Sequence, residues 1–178
     1  MQSKASRCPH GDNDSLIGND GIDVIFGGDG DDTIDGGAGD DVLCGENGSD
    51  LLLGGRGNDQ LYGGNDRDLL IGGTGIDSIF GGGKEDILVG GSSVYDADYR
   101  SLKLILREWN STGSYAVRVA NIRNGAGPYL ARTGVKLTSA QVINDNATDK
   151  LFSGSDAGWF IAGINDKLFD RKRGDELN

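Results

Sequence analysis

The sequence predicts an all-β solenoid, a parallel β-roll with two sheets of short strands, followed by a small α+β capping region. Glycine accounts for 32 of the 178 residues and proline for only 2, and 23 of these glycines lie between residues 9 and 90. The same stretch repeats every nine residues, whereas the apolar spacing beyond residue 90 becomes that of helices. A repetitive, glycine-rich segment therefore precedes a more ordinary one.

We expect four regions from these changes in pattern. They are an N-terminal tail at 1–8, the β-roll at 9–90, a helical segment that packs on the roll at 91–134, and degenerate repeats that form a C-terminal cap at 135–178. A solenoid needs such a cap because its last strands would otherwise leave open sheet edges.

The repeat follows the pattern GGxGxDxUx, in which U is Leu or Ile. From Gly18 the units read GNDGIDVIF, GGDGDDTID, GGAGDDVLC, GENGSDLLL, GGRGNDQLY, GGNDRDLLI, GGTGIDSIF and GGGKEDILV, and a weaker copy, PHGDNDSLI, precedes them. Glycine permits the positive φ angles of tight turns, and alternation along a strand directs the aliphatic residue inward. Each unit is therefore a six-residue turn and a three-residue strand, and two units complete one coil.

The sixth position of every unit is aspartate, so alternate units stack their carboxylates in two columns. These residues are Asp14, Asp23, Asp32, Asp41, Asp50, Asp59, Asp68, Asp77 and Asp86. Carboxylates about 4.8 Å apart repel by about 1 kcal/mol even at a water-like dielectric. One Leu or Ile per unit cannot offset both this repulsion and the entropy lost by ordering a glycine-rich chain.

A hard cation between successive coils would remove the repulsion. Ca²⁺ accepts six to eight oxygen ligands, which include backbone carbonyls as well as carboxylates. We therefore expect Ca²⁺ binding and folding to be one event, with up to about seven ions between coils. The turn glycines that accompany the aspartates are Gly18, Gly21, Gly27, Gly28, Gly30, Gly36, Gly37, Gly39, Gly45, Gly48, Gly54, Gly55, Gly57, Gly63, Gly64, Gly72, Gly73 and Gly75.

Units such as GGDGDDTID, GGAGDDVLC, GGRGNDQLY and GGTGIDSIF resemble the RTX, or hemolysin-type, calcium-binding nonapeptides of secreted bacterial proteins. The resemblance implies that the turn aspartates and turn carbonyls ligate Ca²⁺. It also implies an extracellular protein whose roll is disordered at low cytosolic Ca²⁺ and folds after export. Asp66 and Lys84 replace glycine at the fourth position, which weakens the expectation of sites around the sixth and eighth units.

In the second half of the chain, we expect a helix near 96–110 and a shorter one near 114–123, then a loop at 124–134 and a strand at 135–143. Asp96 or Asp98 is the expected N-cap of the first helix. This helix is the expected cover for an apolar sheet face made of Leu51, Leu53, Leu69, Ile71, Ile87 and Val89.

The segments NDNATDKLF, SGSDAGWFI and NDKLFD resemble decayed repeats, with Asp149 and Leu151 in register. Trp159 and Phe160 are then core residues.

On the opposite sheet, we expect an outward ladder of Phe26, Cys44, Tyr62 and Phe80 to stack across strands. Residues 90–125, the segment DNATDKLFSGSDAGWF and the ending GDELN also resemble a tail segment that follows such repeats in very large secreted bacterial proteins.

Composition excludes several function classes. Residues 9–90 carry 18 acidic and three basic side chains, which argues against nucleic acid or an anionic membrane as partner. No run approaches the length of a membrane span, and MQSKASRCPHGD lacks the apolar core of a signal peptide, so we expect another export route or a fragment. His10 is the only histidine, which excludes the two-histidine motif H-E-x-x-H. Because it lies in the degenerate first unit, a Ser/His/Asp constellation has no support either, and we expect no enzyme.

Two functions remain open. The first is a non-enzymatic module that couples folding to extracellular Ca²⁺ in a secreted protein or its C-terminal fragment, with further domains of a larger protein as partners. The alternative is an extracellular adhesive or carbohydrate-binding module, or the accessory end of a secreted hydrolase, with a glycan or surface partner. Exposed aromatics beside Arg118, Arg123 and Arg132 would favour the alternative. Burial of Trp109, Trp159 and Phe160 would favour the first function.

Cys8 and Cys44 stand too far apart in a regular roll to pair, so we expect free thiols.

Overall fold

The computed structural model describes residues 4–7, 11–156, 158–162, 165–169 and 176–177, and it is a two-sheet parallel roll. With strands numbered in chain order, sheet 1 runs β1 (Lys4–Arg7), β3 (Asp23–Asp29), β5 (Val42–Asn47), β7 (Gln60–Asn65), β9 (Ser78–Gly82), β13 (Lys150–Phe152) and β15 (Lys167–Phe169). Sheet 2 runs β16 (Glu176–Leu177), β14 (Trp159–Ile161), β10 (Ile87–Val89), β8 (Leu69–Thr74), β6 (Leu51–Arg56), β4 (Thr33–Ala38) and β2 (Ser15–Asp20). The predicted fold class is confirmed.

The nine-residue period sets the register of both sheets. Ile25 pairs with Leu43, and Leu43 pairs with Leu61, so neighbours in one sheet are two units apart. The residues at the eighth position point between the sheets and form a continuous buried core, to which Phe160 of a degenerate repeat also contributes. This core contains Ile25, Ile34, Leu43, Leu52, Leu61, Leu70, Ile79, Leu88, Leu151 and Phe160.

The strands are longer than the predicted three residues. β5, for example, continues from positions seven to nine of one unit into the first three positions of the next, and Glu46 in that extension pairs with Gly28 and Gly64. The prediction of six-residue turns was wrong because the first glycines of each unit let the backbones of successive turns approach and hydrogen-bond.

The helical segment is an insertion between two coils of the roll. Its ends meet where β11 (Ser92–Ser93) pairs antiparallel with β12 (Val142–Ile143). After it, β13 pairs with β9, and the backbone N–H of Asp77 bonds to Asp149, 72 residues away instead of the 18 found within the array. The decayed repeats therefore continue both sheets as further coils.

Three helices make up the insertion: α1 (Tyr99–Trp109), α2 (Tyr115–Asn124) and α3 (Gly127–Leu130). The two predicted helices are present, with slightly different ends. Asp98 caps α1 because its side chain accepts a hydrogen bond from the backbone N–H of Ser101. α2 ends at Gly125, which has the left-handed φ of 62° common at helix C-termini.

Two predictions for residues 124–143 were wrong. The expected loop contains α3, which Pro128 begins at a favourable first-turn position. The expected strand at 135–143 is an irregular segment with a 3-10 turn at Ser139–Gln141, and only its end joins a sheet. Buried and exposed residues alternate here because Val135 and Leu137 pack inward beneath the helices. The N–H of Leu137 donates to the carbonyl of Ile122 instead of to a strand.

α1 covers the outer face of sheet 2. The apolar residues of that face, Leu51, Leu53, Leu69, Ile71, Ile87 and Val89, are all buried. They form one cluster with Leu102, Ile105, Leu106 and Trp109 of α1 and with Trp159. Among the described residues, no helix is long and apolar enough to cross a membrane.

The outer face of sheet 1 carries the expected aromatic ladder. Phe26 pairs with Cys44 and Cys44 with Tyr62, and Tyr62 stacks on Phe80 at 4.9 Å between ring centroids. The degenerate repeats extend the ladder, because Phe80 stacks on Phe152 at 4.4 Å and Phe152 on Phe169 at 4.5 Å. The Cys44 thiol is free, whereas Cys8 lies outside the described residues.

Replacing Ile105 by Ala tests the importance of the α1 interface. Because Ile105 is fully buried in the cluster, we expect the truncation to lower the free energy of unfolding by about 2 to 5 kcal/mol. Urea denaturation in saturating Ca²⁺ measures this change. Val117→Ala is the control, since Val117 is 50% exposed and should change stability by less than about 0.5 kcal/mol. Equal effects of the two substitutions would show that α1 contributes little to stability.

Candidate metal centre

The structure stacks the turn aspartates in two columns on opposite edges of the roll. Column one contains Asp14, Asp32, Asp50, Asp68 and Asp86, and column two begins with Asp23, Asp41, Asp59 and Asp77. Every one of these side chains except Asp14 is at least 98% buried, although each lies in a turn. A buried carboxylate in every coil requires a partner for its charge.

One carboxylate oxygen of each aspartate satisfies the backbone of the preceding coil. The N–H of Asp23 donates to Oδ1 of Asp41 at 2.7 Å, and the N–H of Asp41 donates to Oδ1 of Asp59 at 2.8 Å. The same bond repeats through both columns. It links successive coils in addition to the sheet ladders, and it holds each carboxylate in one orientation.

The second carboxylate oxygen, Oδ2, is buried without a hydrogen-bond partner in a run of successive coils. This holds for Asp32, Asp41, Asp50, Asp59, Asp68, Asp77 and Asp86. An unpaired buried carboxylate oxygen is costly, and a regular series of them is not a packing accident. These oxygens are positioned to bind a ligand that supplies positive charge.

Each of these oxygens faces the first glycine of its own unit, and from Asp32 to Asp77 it also faces a carbonyl of the next coil. A Cβ placed on Gly36 would lie 2.5 Å from Oδ2 of Asp41 and 2.7 Å from the carbonyl oxygen of Gly54. The same pairing of carboxylate and carbonyl recurs at Gly18, Gly27, Gly45, Gly54, Gly63 and Gly72. The absence of a side chain at the first position therefore leaves a space between coils that is lined by oxygen atoms.

The remaining predicted glycines shape the turns. Positions two and four have positive φ angles between 98° and 137°, at Gly21, Gly28, Gly30, Gly37, Gly39, Gly48, Gly55, Gly57, Gly64, Gly73 and Gly75. These angles fall where residues with a Cβ are strained. They let the backbones of successive coils approach closely, since a Cβ added to Gly39 would lie 1.8 Å from the carbonyl oxygen of Gly21.

Burial changes the acidity of the column strongly. Loss of solvation raises the pKa of Asp50 and Asp59 to about 7 and of Asp77 to about 8, and neighbouring carboxylates in the same column add to the effect. The pKa of Asp68 rises to about 9, because burial is reinforced by the charge of Asp86. Near neutral pH the folded columns therefore require either protons or a cation.

The described residues fit Ca²⁺ in donor type and charge. Within the described part of the chain, no three His, Cys, Asp or Glu side chains converge on one point. The spaces between coils are lined instead by one carboxylate oxygen and backbone carbonyls, and Ca²⁺ accepts this mixture. Magnesium demands a stricter octahedral geometry and gives up its waters reluctantly.

Two adjacent turns of column one depart from this regular form. Asp66 and Lys84 occupy the fourth position with φ angles of 75° and 61°, and the Lys84 ammonium forms an ion pair with the Asp66 carboxylate. Glu85 binds Arg67 at 2.7 Å and the buried Arg118 of α2 at 3.2 Å. Protein side chains thus supply cations where the sequence departs from the repeat, which agrees with the weaker expectation of sites there.

Sequence analysis placed Asp149 in register but did not include it, or Asp166, among the candidate ligands. The N–H of Asp77 donates to Oδ1 of Asp149 at 2.8 Å, and the N–H of Asp149 donates to Oδ1 of Asp166 at 3.1 Å, so column two continues past the insertion. Gly90 faces the Oδ2 atoms of both aspartates, within 2.7 Å of an added Cβ. Burial, together with the charge of Asp166, raises the pKa of Asp149 to about 7.

Fold and site together define a parallel roll whose turns present columns of carboxylate and carbonyl oxygens. A family model described as the RTX calcium-binding nonapeptide repeat, four copies, matches residues 10–43, 45–79 and 62–93. The repeat array of this chain belongs to that family, as the resemblance predicted. No curated protein and no solved structure matched the chain.

Gly36→Ala tests the oxygen-lined space. The added Cβ would overlap Asp41 Oδ2 and the Gly54 carbonyl, so we expect the Ca²⁺ concentration at half-folding to rise by roughly tenfold or more. Far-UV circular dichroism during a Ca²⁺ titration measures this midpoint. Gly83→Ala is the matched control, because its Cβ would meet nothing closer than 3.6 Å. Equal midpoints for the two variants would contradict the assigned space.

The raised pKa values predict an unusual pH dependence for the Ca²⁺-free chain. A carboxyl whose folded pKa lies above its ordinary value of 3.8 stabilises the fold when protonated, and this contribution is lost as pH rises through the folded pKa. Between pH 9 and pH 6 we therefore expect the β signal of metal-free protein to increase as pH falls. Circular dichroism after exhaustive removal of metal measures it, and the same scan in saturating Ca²⁺ should be nearly flat. A β signal that grows with pH would contradict this assignment.

Proposed function

We propose that this chain is a non-enzymatic, calcium-responsive module whose roll folds outside the cell. The observation that carries the proposal is the run of buried Oδ2 atoms that lack a hydrogen-bond partner from Asp32 to Asp86. Those from Asp32 to Asp77 also face a carbonyl of the next coil. Bound Ca²⁺ supplies the positive charge that these oxygens lack. The proposed ligands are the column aspartates and the turn carbonyls, with up to about seven ions.

The energetics of the columns support coupling of folding to Ca²⁺. Each turn buries a carboxylate, and at Asp50 and Asp77 its pKa is raised to about 7 and about 8, so the ion-free roll at neutral pH is penalised turn by turn. The Oδ1 bonds between coils form only when the roll is wound. The unfolded chain has neither the sites nor the penalty, and folding therefore follows occupancy.

An extracellular location follows from the expected affinity. Sites built from one carboxylate and several carbonyls carry little charge, and extracellular calcium modules bind in the range of 10⁻⁴ to 10⁻³ M. Such a roll would be unwound at low cytosolic Ca²⁺ and wound after export. We propose that the module assists export or stiffens a secreted bacterial protein, of which this chain can be one part.

The alternative function, adhesion or glycan binding through exposed aromatics, receives less support. Trp109, Trp159 and Phe160 are fully buried, and the guanidinium of Arg118 lies over the Trp109 ring inside the helical cluster. In the ladder of sheet 1 the ring faces of Phe80 and Phe152 stack on their neighbours. Sugar rings bind aromatic faces, and these faces are largely occupied.

The first experiment is a Ca²⁺ titration of metal-free protein followed by far-UV circular dichroism, with Mg²⁺ as control. We expect a cooperative gain of β signal at Ca²⁺ concentrations on the order of 10⁻⁴ to 10⁻³ M and no response to Mg²⁺ at the same concentrations. A spectrum that is already folded without metal and unchanged by Ca²⁺ would refute the proposal.

Asp59→Asn in the same titration tests the ligand assignment. Asparagine keeps an oxygen that can accept the bond from the Asp41 N–H, but it removes the charge from the buried column. We expect the Ca²⁺ midpoint to rise by roughly 3- to 10-fold. Asp20→Asn is the matched control, because Asp20 is exposed at the end of β2 and outside both columns, and should leave the midpoint unchanged.

A further inference from the structure

A pocket of about 380 Å³ lies between α1 and three successive turns of column one. Its size is at the lower end of the range for small-molecule sites. It is located where α1 stops covering sheet 2. Apolar lining comes from Leu51 and Leu106, and the remaining lining is polar or charged.

Two cations on α1 border the pocket without an acidic partner. Lys103 and Arg107 are one helical turn apart, and both are exposed. Among the described residues, no carboxylate lies within ion-pair distance of either. The Arg107 guanidinium lies 4.8 Å from the centre of the Tyr129 ring, a contact that limits its movement. In a chain with a net charge of −11, these two cations offer positive charge on one side of a pocket whose other side includes Asp31 and Asp32.

The floor of the pocket contains a buried hydroxyl without a hydrogen-bond partner. Thr33 is 2% exposed, and its Oγ1 is unpaired. In the row of residues that runs across sheet 2, Thr33 pairs with Leu51, which pairs in turn with Leu69. The leucines are covered by α1, whereas the threonine lies just past the cover and faces the pocket. A ligand hydroxyl would complete its hydrogen bonding.

The wall of the pocket is a row of polar side chains at the fifth position of alternate units, which are successive coils of column one. The N–H of Asp31 donates to Oδ1 of Asn13 at 2.8 Å, and the N–H of Ser49 donates to Oδ1 of Asp31 at 2.9 Å. The Ser49 hydroxyl donates to Oδ1 of Asn110 at the end of α1, at 3.1 Å. These groups are held in place before any ligand arrives, and they offer further acceptors and donors for hydroxyl groups.

We propose that this pocket binds a small hydroxylated carboxylate of the kind that sugar acids present. The ligand carboxylate would lie between Lys103 and Arg107, and one ligand hydroxyl would bond to Thr33. Further ligand hydroxyls would bond to the polar row of Asn13, Asp31 and Ser49. Leu51 and Leu106 suit the C–H face of a sugar ring. Asp31 and Asp32 also line the pocket and disfavour multiply charged anions such as nucleotides, so the ligand carries a single negative charge.

The test is a ligand-observed NMR titration of the full chain in saturating Ca²⁺, with galacturonate as probe and galactose as its neutral counterpart. We expect saturable binding of galacturonate and at least fivefold weaker binding of galactose. The double variant Lys103→Gln/Arg107→Gln should weaken galacturonate binding at least fivefold, and Thr33→Val, which keeps the shape and removes the hydroxyl, at least about threefold. Lys136→Gln, an exposed lysine away from the pocket, should leave binding unchanged.

Absence of saturable galacturonate binding, or binding that none of the pocket variants weakens, overturns the assignment. Circular dichroism of each variant in Ca²⁺ is recorded in parallel, since the pocket wall consists of column-one turns and the inference rests on their folded form. A roll that does not respond to Ca²⁺ counts against the proposed function alone. The galacturonate titration of the folded chain then decides the pocket separately.

Discussion

The constraint that governs this molecule is the burial of one carboxylate in every turn. Each aspartate is held in place by the coil beneath it, since its Oδ1 accepts a backbone N–H that otherwise has no partner there, as between Asp59 and Asp77. The bond fixes the carboxylate inside the column and leaves Oδ2 without a protein donor. The hydrogen bond that joins the coils thus also leaves a buried negative charge without a partner. The folded roll forms only when that charge is neutralised.

Glycine serves this constraint in two different ways. At positions two and four, as at Gly37 and Gly39, φ angles of 98° and 137° turn the backbone and let a carbonyl of the neighbouring coil approach closely. At position one, as at Gly36, φ is ordinary, and what matters is the missing side chain, whose volume would fill the space beside the carboxylate. Other side chains are tolerated in the fourth position when they supply a charge of their own, as Lys84 does beside Asp66.

The fold of the array could be predicted from the sequence because its period determines the register. The inward aliphatic at position eight and the aspartate at position six place Leu43 in the core and Asp41 in a column without further information. The Oδ1 bonds could not be predicted, since they depend on a side-chain rotamer. The irregular path of residues 135–143 was also missed, because alternating burial of Val135 and Leu137 beneath helices resembles a strand pattern in one dimension.

The sequence showed only in part that the roll resumes beyond the insertion. The helices of the insertion belong to the same structural unit as the coils, because α1 is bonded to the turns. The end of α1 bonds to residues that directly precede column-one aspartates. The Trp109 indole donates to the carbonyl of Glu85 at 2.7 Å, and the Asn110 amide donates to that of Arg67 at 3.4 Å. These carbonyls are in position only when the turns of Asp86 and Asp68 are wound. Packing of α1 and folding of the column-one turns therefore stabilise each other. α1 covers sheet 2 only where those turns are folded.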